Sequence, residues 1–390
     1  MKEKKLTRTG LRPGSTALAA ITLLAFSLGC HKSNVDNKDL RDFEVVNLVA
    51  NTREYNPVTV DETLINGFGI AWAPNGTAWV NSVGGHVSEL YNAEGGKIKA
   101  VNIPGSPATT DSASGFPCGI VFSGGLGFNL SNGPSLFLFT GFDGVLSGWN
   151  PASGNNAKFL KHPPNASYTG LAIANNNGRN LIYGANFGAS KIDVWDTTFA
   201  PIPMTFKDPQ LPAGYSPYNI QAVNNYLFVM YAELSTYGPT KGHGIAGAGK
   251  GFVSVFNTDG SFVRRFASRG SLNIPWGVTM APGTFLQEQD LNPESKSADA
   301  TSGSNFNGNG NHDPKDPVIL VGNFGDGHIN VFTQDAKYLG QLQSHKNPLV
   351  IDGLWALSFG PSPAVLQSRL YFTAGPDNES DGVFGYITKK

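Results

Sequence analysis

Cysteine is nearly absent: Cys30 and Cys118 are the only two in 390 residues, so no disulfide framework can hold this chain together. Charge is scarce as well. Asp, Glu, Lys and Arg make up 15% of the chain and the formal net charge is −1, which leaves no electrostatic case for nucleic acid or an anionic membrane surface. After residue 30 no stretch carries a convincing amphipathic helical period, which argues against a helix-built fold. Neither a phosphate loop, nor a Ser/His/Asp arrangement, nor a paired-carboxylate signature stands out. What is abundant is glycine (48) and proline (25), with 11% aromatic residues, the composition of short β-strands joined by tight turns.

Those strands recur. Six openings pair a small or polar residue with a short apolar run: Gly69-Ile70-Ala71-Trp72, Gly119-Ile120-Val121-Phe122, Gly170-Leu171-Ala172-Ile173, Asn219-Ile220-Gln221-Ala222, Gly277-Val278-Thr279-Met280 and Ala356-Leu357-Ser358-Phe359. Their first positions lie 50, 51, 49, 58 and 79 residues apart, a period that marks a propeller. The fold expected is all-β: a six-bladed β-propeller of four-stranded blades occupying residues 43–390 as one domain. In the first repeat, Pro74-Asn75-Gly76 and Gly84-Gly85 supply hairpin turns between strand-like runs. The third repeat reads Thr169–Ala174, Asn180–Asn186, Ser190–Asp196 and Pro201–Phe206. The sixth has only three runs before the chain ends, leaving an unpaired edge. Phe43–Val49, strand-like and unassigned, is expected to pair there and close the ring. Residues 283–316, rich in Asn, Asp, Ser and Gly, lack apolar alternation and read as a long flexible insertion, not a seventh blade.

The N-terminus is separate. Lys2, Lys4, Lys5, Arg8 and Arg12 precede the apolar run Ala17–Leu28, which ends at Gly29-Cys30. A basic n-region and an apolar core too short to span comfortably make residues 1–29 a secretory signal. Cys30, following a small residue, is the expected lipidation site, and residues 30–42 the polar tether. The expected location is a cell envelope, periplasm or outer membrane, with membrane contact only through the lipid. Removing the signal takes away five basic residues and one acidic one, leaving −5.

The segment from Phe68 through Gly69-Ile70-Ala71 and Ala78-Trp79-Val80-Asn81 to His86-Val87 resembles an NHL repeat. Asn186 with Lys191-Ile192-Asp193-Val194-Trp195, and Asn323 with His328-Ile329-Asn330-Val331-Phe332, repeat the pattern in blades 3 and 5. The whole of 43–390 is similar to an exported bacterial family of six-bladed propellers, some with PEP-CTERM sorting tails. This chain ends Gly385-Tyr386-Ile387-Thr388-Lys389-Lys390 without such a tail, so lipid on Cys30 is expected to take its place. The resemblance implies a fold and not an activity.

Two candidate sites follow. Phe68, Cys118, Thr169, Tyr218, Trp276 and Trp355 stand beside the six openings and should ring one mouth of the channel. Phe68, Tyr218, Trp276 and Trp355 would suit a small molecule or a protein ligand there, or else pack between blades and plug the end. Asn81, Asn186 and Asn323, with Glu233 and Asp326 (and Asp143) in the same set of turns, offer oxygen donors for Ca²⁺. Six-bladed gluconolactonase-type enzymes place a metal in that location, so the second reading is a Ca²⁺-dependent hydrolase or lactonase. The alternative is that each Asn bonds its own turn, since a residue repeated at one position usually serves the repeat. His86 and His328 share a slot with Lys191, and the remaining histidines, His243 among them, lack ligand spacing. The insertion Thr236–Lys250 should share the face of the aromatic ring and lie over it as a lid. No nucleic-acid partner is expected, and the chain should be a monomer.

Overall fold

The computed structural model describes residues 40–106, 114–238, 241–287 and 316–390. These residues form six small antiparallel sheets, the blades of a β-propeller, with neighbouring inner strands packed side by side around the axis. Blade 1 runs outward through Gly67–Trp72, Ala78–Ser82, Val87–Tyr91 and Lys97–Asn102. Its first hairpin turns at Gly76, whose φ of 85° only glycine adopts without strain. Blades 2, 4 and 5 begin at Pro117–Phe122, Tyr215–Val223 and Pro275–Ala281 and are likewise four-stranded.

The ring closes as the sequence implies. Phe43–Ala50 pairs antiparallel with Val383–Lys389, from Phe43 opposite Lys389 to Ala50 opposite Val383, as the outer strand of blade 6. A two-residue strand, Thr59–Val60, covers part of its free edge in parallel. Closure by both ends of the chain makes the last blade depend on contacts more than 300 residues apart.

Blade 3 departs from expectation. Its first three strands are Tyr168–Asn176, Arg179–Asn186 and Lys191–Trp195, but Pro201–Phe206 touches the third only through a Trp195–Pro201 bridge. Ile202 N–H bonds Val194 O at 2.8 Å, while Pro201 and Pro203 on either side have no N–H to give. Beyond them Phe206 turns to Tyr183 and to Phe256 of blade 4, with ring centroids 6.0 and 5.3 Å away. A groove of about 810 Å³ opens along Lys191–Trp195 where the fourth strand peels off. Of the insertion expected in blade 5, only the two ends are described. Gly283–Leu286 forms a 3₁₀ turn with Phe285 and Leu286 buried, and the remainder, 288–315, lies outside the described residues.

One irregularity recurs in every blade and positions the mouth. The pairing of inner and second strand slips between Gly67 and Ile70, Pro117 and Gly119, Tyr168 and Gly170, Pro217 and Asn219, Pro275 and Val278, and Leu354 and Leu357. The residues left unpaired at these bulges include Phe68, Cys118, Thr169, Tyr218, Trp276 and Trp355. A bulge frees a residue from the ladder and re-aims its side chain; here five of the six are gathered into a single buried cluster. The small residue of each opening has its own cause. A Cβ on Gly119 would lie 2.5 Å from Leu171 N, and one on Gly277 2.6 Å from Trp355 O, because neighbouring inner strands abut.

Candidate functional site

The mouth is built on an aromatic plug. Trp355 lies between Phe68 and Phe324, with ring centroids 3.8 and 3.9 Å away and nearly parallel planes. Trp276 meets Phe68 edge-on at 5.1 Å, as Phe142 does at 5.5 Å, and Tyr218 stands 6.1 Å from Trp355. Phe68, Tyr218, Trp276 and Trp355 are all buried, spending most of their faces on one another. Both indole N–H groups are satisfied, Trp276 donating to Thr169 O at 2.9 Å and Trp355 to Asn66 Oδ1 at 2.8 Å. The four residues thus come together, as a packed floor. On the other side of the plug the axis narrows to a cavity of about 20 Å³, room for about one water.

A polar layer rests on that floor. Asn66, which precedes blade 1, accepts from Trp355 and donates through Nδ2 to Glu379 Oε2 at 2.7 Å. Glu379 sits in the turn between the second and third strands of blade 6, where Asp377, Asn378 and Glu379 take φ values of 51°, 53° and 70°. Three consecutive left-handed non-glycine residues cost roughly 1–2 kcal/mol each, less for Asp and Asn. Such strain persists only where surroundings impose it and clusters at functional sites. Here Asp381 fixes the turn, accepting from Asn51 Nδ2 at 2.8 Å and Tyr55 OH at 2.7 Å.

Burial raises the Glu379 carboxyl above its ordinary range; the Asn66 bond and the neighbouring His243 oppose this incompletely. Burial likewise raises Asp143, in the equivalent turn of blade 2, against opposition from backbone N–H groups and His162. The Cys118 thiol is pushed well up, first by burial and then by the charges of Asp143 and Glu379, and it donates to Phe116 O at 3.3 Å. It is a packing group, not a nucleophile. Tyr218 is raised by burial and by the same Glu379 charge. The described part of the insertion in blade 4 stands beside this layer. Leu234 packs on the plug, Ser235 N–H bonds His243 O at 2.9 Å, and Glu233 pairs with Lys250 at 3.0 Å.

The proposed metal donors do not share a centre. Asn81 donates to Cys118 O and Gly119 O of blade 2, both at 3.3 Å. Asn186 Oδ1 accepts from Ser167 and Ala189 N–H, and its Nδ2 donates to Asp193 Oδ2 at 2.7 Å. Asn323 donates to Ser271 O at 2.7 Å and Asp326 Oδ1 at 3.0 Å, and His328 lies 3.2 Å from that same oxygen. Asn323 and Asp326 are therefore together, and the oxygens of Asn186 and Glu233 are committed to protein donors, whereas Asn81 Oδ1 and Asn323 Oδ1 are buried without a partner. Among the described residues no three His, Cys, Asp or Glu side chains are grouped to hold a metal ion. With Asn186 and Glu233 bonded to other groups, the five residues do not form one donor set for Ca²⁺.

The walls hold further buried polar groups that sequence reasoning missed. The third strand of each of blades 1 to 5 carries one polar residue at matching positions: Glu89, Ser147, Asp193, Ser254 and Asn330. In blade 4 Asp208 Oδ2 accepts from Arg265 Nε at 2.6 Å and Ser254 Oγ at 2.5 Å. In blade 1 the Thr63 hydroxyl lies 2.7 Å from Asp61 Oδ1 and 2.5 Å from Glu89 Oε1. One hydroxyl proton cannot serve two carboxylates, and burial raises the Glu89 carboxyl above its ordinary range against the opposition of Thr63 and of Lys97 at 3.1 Å. At the mouth the overlooked residues are Asn66, Phe142, Phe324 and Glu379. Asn66, Phe142 and Phe324 had one signal, position, each standing next to an inner-strand start or second-strand end; Glu379, further into its turn, had none.

Fold and mouth together define a six-bladed propeller closed by its N-terminal strand, with a polar layer over an aromatic floor. Two relatives come from Acanthamoeba polyphaga mimivirus, the uncharacterized proteins R648 and L690. Each is 31% identical, over 363 and 364 residues respectively; the matches cover 88% of this chain and 80% and 85% of theirs. The chain belongs to the family of these mimivirus proteins. No protein-family model matches it. Among solved structures, a streptogramin B lyase aligns at 13% identity and TM-score 0.47, covering 89% of this chain and 97% of the lyase. A Bacteroides thetaiotaomicron protein of unknown function aligns at 9% and 0.49, covering 83% and 70%. Likeness at these values bears on neither activity nor ligand.

Proposed function

We propose that this is an exported propeller, lipid-anchored at a cell envelope through Cys30, that binds a small molecule or protein partner on the face bearing the aromatic mouth. The basic n-region, short apolar run and Gly29-Cys30 support the export half, though residues 1–39 lie outside the described part. The binding half rests on one observation: a strained turn of blade 6 holds the raised carboxyl of Glu379 over the aromatic floor. Among the described residues no Lys or Arg lies beside Glu379 as Arg265 lies beside Asp208, whose carboxyl is lowered, or Lys97 beside Glu89.

A crystallographic fragment screen tests this reading. Bound fragments should gather within reach of Glu379, Tyr218 and Phe324. A screen whose hits all lie elsewhere, on the groove of blade 3 for example, would overturn it. Metal-dependent hydrolysis is the weaker reading, because its proposed ligands are committed to separate blades.

A further inference from the structure

The mouth also has a chemical preference. Tyr218 is 6% exposed, yet its hydroxyl makes no hydrogen bond among the described residues. Its oxygen is not among the sealed polar atoms of the fold, so the hydroxyl reaches solvent and is available to a ligand. Trp355 links Tyr218 to Glu379: its ring lies 6.1 Å from that of Tyr218 and its N–H is bonded to Asn66, which donates to Glu379, and the Glu379 charge acts on the phenol. Glu379 has used Oε2 on Asn66, and no Lys or Arg neutralises it or Asp143 among the described residues. Phe142 and Phe324 are only partly buried and pack against the plug.

Each observation narrows the ligand. Two carboxylates without a cationic partner disfavour an anion. The lack of a third clustered acid, His or Cys among the described residues disfavours a metal ion. Aromatic rings beside a carboxylate are the combination that holds an organic cation, through charge-assisted bonds at one end and ring faces at the other. A free phenol supplies one more acceptor for an N–H donor.

We propose that the mouth binds a small organic ammonium group, with Glu379 as the charged acceptor, Tyr218 as a second hydrogen-bonding partner, and Phe142 and Phe324 as the apolar rim. This rests on the mouth being the binding face and names what binds there. Among the described residues Glu379 has no Lys or Arg partner and only incomplete opposition to burial from Asn66 and the neighbouring His243, so a cationic ligand supplies the charge it is short of.

The test titrates the full chain with n-butylammonium, n-butyrate and n-butanol at constant ionic strength, by calorimetry and by tryptophan emission from the plug. Butylammonium should bind and the other two should not. Glu379→Gln should weaken binding about tenfold or more, and the nearly isosteric Tyr218→Phe about threefold, with Asp259→Asn on an exposed turn of blade 4 as an unchanged control. If Glu379→Gln fails to fold, Tyr218→Phe and the butyrate comparison still decide. Butyrate or butanol binding with sensitivity to Tyr218→Phe would overturn the ammonium preference and leave the mouth as the site. Butylammonium binding that neither variant alters would overturn both readings, and so would no binding by any probe together with fragment hits elsewhere.

Discussion

In the body of the ring Asn186 and Asn323 recur at one position, with Ser82 in the equivalent place of blade 1 and Asn81 one residue earlier, and the amide nitrogens of all three Asn residues donate within their own or the adjacent blade. At the mouth Asn66, His243 and Glu379 each occur once, reach in from blades 1, 4 and 6, and meet over a shared floor. The buried charges divide in the same way. Burial pushes Asp208 up, but Arg265 and Ser254 outweigh it and leave the carboxyl below its ordinary range. Glu379 is left above its ordinary range. Sealed polar atoms without a hydrogen-bond partner occur in both regions, at Asn81, Ser147 and Asn323 of the walls and at Asp143 of the mouth. What sets the mouth apart is a raised carboxyl with no Lys or Arg beside it among the described residues, whereas raised Glu89 has Lys97 at 3.1 Å. Repetition in this chain marks structure, and departure from the repeat marks the proposed site.

The comparison can be broken in several places. Closure should give the largest effect. Deleting residues 43–50 removes the outer strand of blade 6 and exposes the edge of Val383–Lys389, so the truncated chain should lose its cooperative thermal transition. Calorimetry showing an unchanged transition would remove closure from the explanation of stability. Asp208→Ala is expected next, at about 3 kcal/mol, because it strands a buried Arg265 without its partner; urea unfolding measures it. Its pH signature follows from the lowered carboxyl. The stabilisation is complete above the unfolded-state value and is lost as pH falls through the lower folded value. Acid unfolding of Asp208→Asn should therefore be shallower than that of the parent chain.

Glu89 gives a smaller effect of opposite sign. Its folded value lies above the unfolded one, so the folded state is favoured while Glu89 stays protonated and loses stability as pH rises between the two. Glu89→Gln should flatten that decline and be neutral or mildly stabilising at pH 8. A steeper decline in the variant would show that Lys97, 3.1 Å away, holds Glu89 ionised. The smallest expected effect is that of EDTA, which should leave the melting temperature unchanged because the candidate Ca²⁺ donors diverge. A drop on chelation, reversed by Ca²⁺, would restore the metal-dependent reading.

The ring was legible because its cause is local. Glycine or another small residue must stand where inner strands abut, as at Gly119 and Gly277, and that demand recurs every blade, so it prints a period. The aromatic floor was legible for the same reason, since each of its members stands at a bulge beside an opening. Closure could be read from a repeat lacking a strand and a strand lacking a repeat. Blade 3 was misread because Pro201–Phe206 has the apolar content of a strand, while its prolines limit the ladder to Ile202. Glu379 could not be seen at all. Its place depends on a left-handed turn, on Asn66 more than 300 residues earlier, and on an insertion from blade 4, none of which leaves a periodic trace.

The most direct measurement is the unfolding free energy of Glu379→Gln at pH 7. The Glu379 carboxyl is raised on folding, so its ionisation disfavours the folded state above the ordinary carboxylate range, and glutamine still accepts from Asn66. If the mouth is kept for a ligand, the variant is as stable as the parent chain or more so, and loses butylammonium binding. A loss of more than about 1 kcal/mol, the usual cost of removing a structural hydrogen bond, would place Glu379 with the walls and contradict the division between them and the mouth.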